Sequence, residues 1–224
     1  VRVAKGKVEG PVEVRESGLQ FLADLLEGQK TGWFFDQRDN RACVARLAGS
    51  GRMLDLYCHG GGFGISAATA GSREVLCIDR SEPALALAQK SAALNGVEGK
   101  TRFKRGEAFA ELEAMAAAGE RFDCVAADPP AFVKSRKDLG AGLKGYEKLA
   151  RLVAGVVAPG GILFIASCSH NVNTDAFIDT VASGLHKAGR QGRILKVSGA
   201  GPDHPIHPHL PESAYLKGLF LALD

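Results

Sequence analysis

Apolar and polar positions alternate along this chain at two different periods, and the places where the period changes mark out its elements. Between Val8 and Gly28 the segment VEVRE alternates apolar and charged residues, turns at Ser17-Gly18 and runs on into LQFLADLLEG, which predicts a β-hairpin. From Asp36 to Ala48 charges fall on one side and Val44, Leu47 and Ala48 on the other, so a helix begins near DQRDNR. After Gly49-Ser50-Gly51 short apolar runs alternate with stretches of helical length. The predicted strands are RMLDLYC, EVLCIDR, TRFKRGE and FDCVAADPP, with helices in ISAATA, EPALALAQKSAALNG and AFAELEAMAAAG between them. A helix around KGYEKLARLVAGVVA, a strand GILFIASCS, a helix DAFIDTVASGLHKAG and the strands RILKVSG and AYLKGLFLALD complete the pattern. Strands separated by helices fold as a mostly parallel sheet covered on both faces. The predicted class is therefore α/β with a seven-stranded sheet, the hairpin extension occupying residues 1–35 and the sheet domain residues 36–224. The last two strands are joined by a proline-rich loop without a helix and can pair antiparallel at one edge.

Composition narrows the picture. A chain of 224 residues, 46% hydrophobic and 24% charged, buries a proper core and suits one large domain rather than a disordered segment. The formal charge of +3 permits nucleic-acid binding without demanding it. Five cysteines, an odd number with no CxxC, argue against a disulfide framework and a structural zinc site, and point to a reducing cytoplasm. The longest apolar run, LVAGVVAPGGILFIA, is broken by Pro159-Gly160-Gly161, and no charged-then-apolar leader opens the sequence, so neither membrane insertion nor export is expected.

The candidate chemistry begins in LDLYCHGGGFG, residues 54–64, where a strand carrying Asp55 meets Cys58, Gly60, Gly61, Gly62, Phe63 and Gly64 before a helix. Glycines let a backbone approach a ligand that a Cβ would push away, and the helix start offers free N–H groups. Gly62 to Ala67 also fits GxGxxA, a weak dinucleotide pattern on its own. The next strand ends in Asp79, followed by Arg80 and Ser81, where a carboxylate can accept from both hydroxyls of a ribose. That position suits NAD or S-adenosylmethionine equally; Asp55 separates them, because a pyrophosphate repels it and an ammonium-bearing ligand does not. An ordinary turn with a satisfied acid is the plain alternative. After the third strand, Glu107 and Ala108 can meet an adenine amine while Phe109 covers its face, or Glu107 simply opens a helix. Asn95 reads as a helix cap.

These residues stand among longer motifs: KTGWFFDQRDNR at 30–41, DPPAF at 128–132 with Lys134-Ser135, GYEKLARL at 145–152, SCSH at 167–170, DHP at 203–205 and PESAYLKG at 211–218. Together they resemble the Rossmann-like class I methyltransferase domain of the RNA 5-methylcytosine enzymes that act on large-subunit (23S) ribosomal RNA, over nearly the whole chain. Members of that family begin with a small RNA-binding PUA domain, and a fragment starting after it is the expectation here. The resemblance implies S-adenosylmethionine as cofactor, ribosomal RNA as partner, no metal and a soluble cytoplasmic enzyme, with a homodimer left open.

It also implies a mechanism. Carbon 5 of cytosine is a poor nucleophile, so such enzymes add a cysteine thiolate to carbon 6. Cys168, at the carboxyl end of its strand, is the candidate nucleophile, and Asp128 the candidate that holds the base edge and donates a proton. Pro129 and Pro130 stiffen the exit from the strand, while Ala131 and Phe132 line a slot for a flipped base. Gln37 and Arg38, with Arg41, are candidates for the cofactor carboxylate, and i to i+3 arginines are also commonly a solvated face. Trp33 and Phe34 either cover the adenosine or belong to the hairpin core. His170 either lowers the thiol pKa or caps its loop. Phe132, Lys134, Lys137 and Tyr146 are the substrate candidates, with Arg136 and Lys144 nearby and Lys104 and Arg105 further off. Cys43, Cys77 and Cys124 read as core. His204, His207 and His209 are separated by prolines in a rigid loop and are not read as metal ligands. No base for the carbon 5 proton is assigned. The rival readings are methylation of a guanine nitrogen or another acceptor without a cysteine, an NAD-dependent oxidoreductase, and a noncatalytic RNA adaptor.

Overall fold

A computed structural model describes residues 6–26 and 32–224. Gly28, at the end of the predicted hairpin segment, and Lys30 and Thr31, at the start of KTGWFFDQRDNR, lie outside the described residues. The hairpin forms from β1 (Val12–Glu16) and β2 (Leu19–Ala23), paired antiparallel. Its turn needs left-handed backbone at both Ser17 (φ 52°) and Gly18 (φ 81°), the geometry that matches the twist of the flanking strands.

The main sheet comprises β3 (Arg52–Leu56), β4 (Glu74–Asp79), β5 (Thr101–Arg105), β6 (Phe122–Ala127), β7 (Val157–Ser167), β8 (Gly192–Ser198) and β9 (Lys217–Leu223). Their order is β5-β4-β3-β6-β7-β9-β8. The first five pair parallel, whereas β9 lies antiparallel to both β7 and β8. Helices α1 (Arg38–Ala48), α2 (Gly62–Ala70) and α3 (Glu82–Leu94) cover one face, and α4 (Ala108–Ala117), α5 (Leu139–Ala154) and α6 (Thr174–Lys187) the other. Alternation along the strands decides which residue joins which core. Met53, Cys124 and Ala126 pack with α1 to α3, while Leu54, Leu56, Val125 and Ala127 pack with α4 to α6. The sequence reading of an α/β, seven-stranded, mostly parallel sheet preceded by a hairpin is the architecture observed. Among the described residues no helix is long and apolar enough to cross a membrane.

The hairpin is part of the first core. Phe21 and Ala23 are fully buried in it, and Leu22 N–H donates to Ser91 Oγ (3.0 Å) on α3. Asn95, the C-cap of α3, also grips the hairpin: its Oδ1 accepts from Gln20 N–H (3.0 Å) and its Nδ2 donates to Gln20 O (2.6 Å). Below the turn, Glu16 accepts from Arg41 Nε and Nη2, both at 2.6 Å, and from Trp33 Nε1 at 3.1 Å.

The boundaries of α5 differ from the sequence reading by several residues at each end. The helix starts earlier because a 3-10 turn, Arg136–Asp138, with a capping box between Ser135 and Asp138 leads straight into it, and it ends at Ala154 because Val157 is drawn into the sheet beside Phe122.

Candidate active site

The carboxyl ends of β3, β4 and β6 open onto a cavity of about 610 Å³, at the place where the sheet order turns back on itself. Its floor is the turn after β3. Tyr57 (φ 60°) and His59 (φ 48°) both adopt left-handed backbone without being glycine, a strained arrangement of the kind that concentrates at binding sites. The turn is held by Cys58 N–H to Ile78 O (3.1 Å), Gly61 N–H to Cys58 O (2.7 Å) and His59 N–H to Asp79 Oδ2 (2.9 Å). Burial lowers the pKa of His59 and keeps its ring neutral, edge-on to Phe34 at 5.2 Å. Burial likewise pushes the Cys58 thiol well above its ordinary range, which suits a wall and not a nucleophile.

Asp79 lies at the rim with its carboxylate fixed from two sides. Oδ2 accepts from His59 N–H, and Oδ1 accepts from Ser81 N–H at 2.8 Å. Each oxygen keeps a further lone pair toward the cavity, so the group is oriented to accept from a diol. Ser81 Oγ in turn accepts from Ala84 N–H and caps α3. Glu107, exposed at the opposite rim, pairs with Arg80 at 3.3 Å, while Ala108 and Phe109 line the wall behind it.

The glycines of the loop owe their identity to protein packing. A Cβ at Gly62 would lie 2.7 Å from Arg41 Cδ, at Gly60 3.2 Å from the Trp33 ring, and at Gly64 2.5 Å from Cys77 Sγ. Trp33 is buried against Phe21 and under the Arg41 guanidinium, part of the hairpin core, and it lines the cavity as well.

Asp55 is not on the cavity surface. It is 1% exposed, its Oδ2 accepts from Gly64 N–H at 2.8 Å, and its Oδ1 has no partner among the described residues. Burial, opposed by the Gly64 hydrogen bond and reinforced by Asp128 and Asp79, raises its pKa to about 8. It supports the glycine loop from below, a correction to its expected place against a ligand ammonium. The electrostatic discrimination survives in a different set of groups. The lining carries five carboxylates, Asp24, Asp36, Asp79, Glu107 and Asp128, against Arg41 and Arg80, each already paired with an acid. Such a wall favours a sulfonium and ammonium over a pyrophosphate, so the residues present fit S-adenosylmethionine better than NAD. Among the described residues no group of three or more His, Cys, Asp or Glu is arranged to hold a metal.

The second half of the site follows β6. Asp128, Pro129, Pro130, Ala131 and Phe132 all line the cavity, and so does Cys168 after β7, half-buried. Phe132 stacks on Tyr146 at 4.6 Å and stands 6.2 Å from Phe109. Tyr146 is fully buried under that ring, so it supports Phe132 from below and has no surface to offer a substrate. Its hydroxyl accepts from Ser167 Oγ (2.9 Å), shares a 2.9 Å hydrogen bond with Ser169 Oγ and accepts from Phe132 N–H (3.4 Å). Gly142 and Gly145 of α5 let this loop lie flat: a Cβ at Gly142 would overlap Val133, and one at Gly145 would press on the Phe132 ring. Behind Cys168, the buried Lys217 donates from Nζ to Ser169 O at 2.7 Å. Tyr215 donates to Asp36 Oδ2 at 2.6 Å, and Asp36 Oδ1 is a buried oxygen with no partner among the described residues.

Other expected contacts fall elsewhere. Gln37 lines the cavity, but Arg38 does not; its guanidinium forks onto Asp203 at 3.0 and 3.2 Å on the surface. Lys134, Arg136, Lys137 and Lys144 are exposed outside the cavity, Lys104 and Arg105 pair with Glu111 and Glu82, and His170 is exposed. Cys77 and Cys124 are buried in the strands, as read. Sequence reasoning missed Asp36, Tyr215, Lys217, Glu16 and the Ser167 and Ser169 hydroxyls, although all but Asp36 and Glu16 lie in the SCSH and PESAYLKG motifs it had singled out.

Comparison with known proteins agrees with this geometry. Residues 5–219 match the family model described as S-adenosylmethionine-dependent methyltransferase. Curated relatives named ribosomal RNA large subunit methyltransferase I include one from Aeromonas salmonicida, 39% identical over 93% of this chain and 53% of its own length. Another, from Klebsiella pneumoniae, is 34% identical over 97% of this chain and 56% of its own. The chain thus spans about half the length of the curated relatives it matches. Among solved structures, SMU.776 complexed with SAH superimposes with a TM-score of 0.87 at 20% identity, covering 98% of this chain and 58% of that one. The SAM-dependent methyltransferase from Agrobacterium tumefaciens gives 0.74 at 18% identity, over 98% and 72%. At these identities the likeness is one of fold.

Proposed function

The chain belongs to the S-adenosylmethionine-dependent methyltransferase family, and from that premise we propose that it methylates carbon 5 of a cytosine in large-subunit ribosomal RNA through a covalent Cys168 adduct. The substrate class rests on the names of the curated relatives. The chemistry rests on one observation: Cys168 and Asp128 line the same cavity as Asp79 and the other acids suited to the cofactor.

When bound, S-adenosylmethionine supplies a methyl group activated by its sulfonium. The Cys168 thiolate donates its electron pair to carbon 6 of the base, forming an S–C6 bond and turning carbon 5 into an enamine carbon. Asp128 accepts from the exocyclic amine and delivers a proton to nitrogen 3 as charge develops on the ring, which requires its protonated form at that step. Carbon 5 takes the methyl group, with S-adenosylhomocysteine as the leaving group; a base then removes the carbon 5 proton, the S–C6 bond breaks with its electron pair returning to sulfur, and nitrogen 3 gives its proton back to Asp128, restoring the ring. Phe132, held on Tyr146, gives the flipped base a flat partner. Lys134 and Lys137 are exposed and follow in the same loop, and they are the phosphate contacts of this reading.

The decisive experiment uses RNA containing 5-fluorocytosine. Fluorine cannot leave carbon 5 as a cation, so a cysteine mechanism stalls as a protein–RNA adduct. The adduct is expected with the wild type and absent with Cys168→Ala. An active preparation that transfers methyl groups yet forms no adduct excludes this chemistry in favour of an acceptor, such as a guanine nitrogen, that needs no cysteine.

A further inference from the structure

Lys217 is a buried cation beside the site whose own contacts do not account for its burial. It opens β9, directly paired with Ser167 of β7, one residue before Cys168. The residue is 4% exposed, and its ammonium donates to Ser169 O at 2.7 Å. An ammonium has three N–H donors, and among the described residues Lys217 forms no ion pair. Burying such a charge without an anion is unfavourable, whereas a thiolate at the adjoining residue supplies one.

We infer that Lys217 is the positioning residue that holds the Cys168 sulfur as a thiolate, its ammonium lying behind the loop that carries the cysteine. The inference rests on Cys168 being the nucleophile. Charge interaction between the two groups runs in the expected sense, Cys168 raising the lysine pKa against the larger effect of burial, which brings it down to about 8. Tyr146 from α5 and Tyr215 from the segment before β9 also feel the sulfur's charge, which, behind the larger effect of burial, adds to the rise in each phenol's pKa. Asp36, through Tyr215, and Asp128, on the shared cavity wall, bring negative charge that opposes a thiolate. Arg41 offsets little, because Glu16 already neutralises it. His170 is exposed. Lys217 is therefore the buried cation that tips the balance. In the ionisation itself the S–H bond breaks, the proton passes to solvent and the electron pair stays on sulfur.

The test is the pH dependence of iodoacetamide alkylation at Cys168, followed by mass spectrometry of its peptide without cofactor or RNA. In the wild type the inflection is expected below the ordinary thiol value of about 8.5. Lys217→Gln keeps a donor for Ser169 O but no charge, and Lys217→Met keeps neither. Both are expected to raise the inflection by about one pH unit, giving about a tenfold smaller thiolate fraction at neutral pH, while Lys217→Arg preserves it. A wild-type inflection at or above the ordinary value overturns the inference whatever the variants do. So does an unchanged inflection in folded Lys217→Gln. The adduct experiment separates the two ideas. A shift without any 5-fluorocytosine adduct removes the proposed methyl-transfer chemistry and leaves the lysine–cysteine pairing standing; an adduct without a shift does the reverse.

Discussion

The amide of Val133 donates to the hydroxyl of Ser169 at 3.2 Å, joining the loop after β6 to the turn after β7. Asp128 stands on one side of that bond and Cys168 on the other. The two groups that the proposed mechanism brings to one base are thus tied to each other through the protein itself.

Tyr146 is the hub of that connection, so Tyr146→Phe strands Ser167 and Ser169 hydroxyls and the Phe132 amide in a buried setting. Stability is expected to fall by about 1–3 kcal/mol in urea denaturation. Methyl transfer should fall with it, while affinity for S-adenosylhomocysteine is retained, because the Asp79 carboxylate is held by the amides of His59 and Ser81 and not by this cluster.

Removing Asp79 should have the opposite signature. Asp79→Ala takes away the oriented acceptor and releases the amides of His59 and Ser81. Binding of S-adenosylhomocysteine, measured by calorimetry, is expected to weaken by about ten- to a hundredfold, the value of one or two hydrogen bonds to a charged group. NAD should give no heat with either protein.

Asp55 predicts a pH dependence of stability. Its pKa is about 8 in the folded chain against an ordinary 3.8, so between those values the folded state binds a proton that the unfolded state lacks. Stability from this group is therefore present below about pH 4 and is lost as pH rises toward 8. Asp55→Asn is neutral in both states and should flatten that slope. Relative to the wild type, the variant is expected to gain stability between pH 5 and pH 8, as read by urea midpoints. A wild-type slope retained in the variant would show that other groups produce it.

Glu16→Gln tests the hold of the hairpin. The change leaves the Arg41 guanidinium buried beside Trp33 without its counter-charge, an arrangement that typically costs about 3–5 kcal/mol. A drop of roughly 10 °C in thermal midpoint is expected, at about 2–4 °C per kcal/mol for a chain of this size.

For RNA, the proposed phosphate contacts give a salt signature. Changing Lys134 and Lys137 together to alanine should weaken binding similarly across RNA sequences and lower the slope of log affinity against log salt by roughly one to two. An unchanged slope would place the RNA path elsewhere.

The strand and helix order was legible because burial on two faces writes itself into each strand: Leu54 and Leu56 alternate with Met53, and Val125 and Ala127 with Cys124 and Ala126. Asp79, Asp128 and Cys168 were legible for a related reason, since each ends or follows an apolar run, and the carboxyl ends of parallel strands share one edge. What escaped was tertiary. Asp55 has the same strand-end signature as Asp79, yet the glycine loop folds over it and turns a presumed contact into a support. Arg38 and Arg41 look alike on the helix surface, but the partner that separates them, Asp203 or Glu16, lies far away in sequence. Tyr146 advertised itself as an aromatic near the base, and only the stacking of Phe132 shows that it lies one layer deeper.

The position of β9 has a consequence for the order of events during synthesis. Chains emerge from their N-terminus, so β3 to β7 and the walls around Asp79 and Asp128 leave the ribosome before Lys217 exists. β7 waits with one edge bare, and the sulfur of Cys168 waits without its buried cation, until the stretch from 217 to 223 threads in between β7 and β8. On the proposed pairing, a nascent chain can thus shape a methyl-donor pocket early, while the thiol beside it stays unarmed until almost the last of these residues has been added.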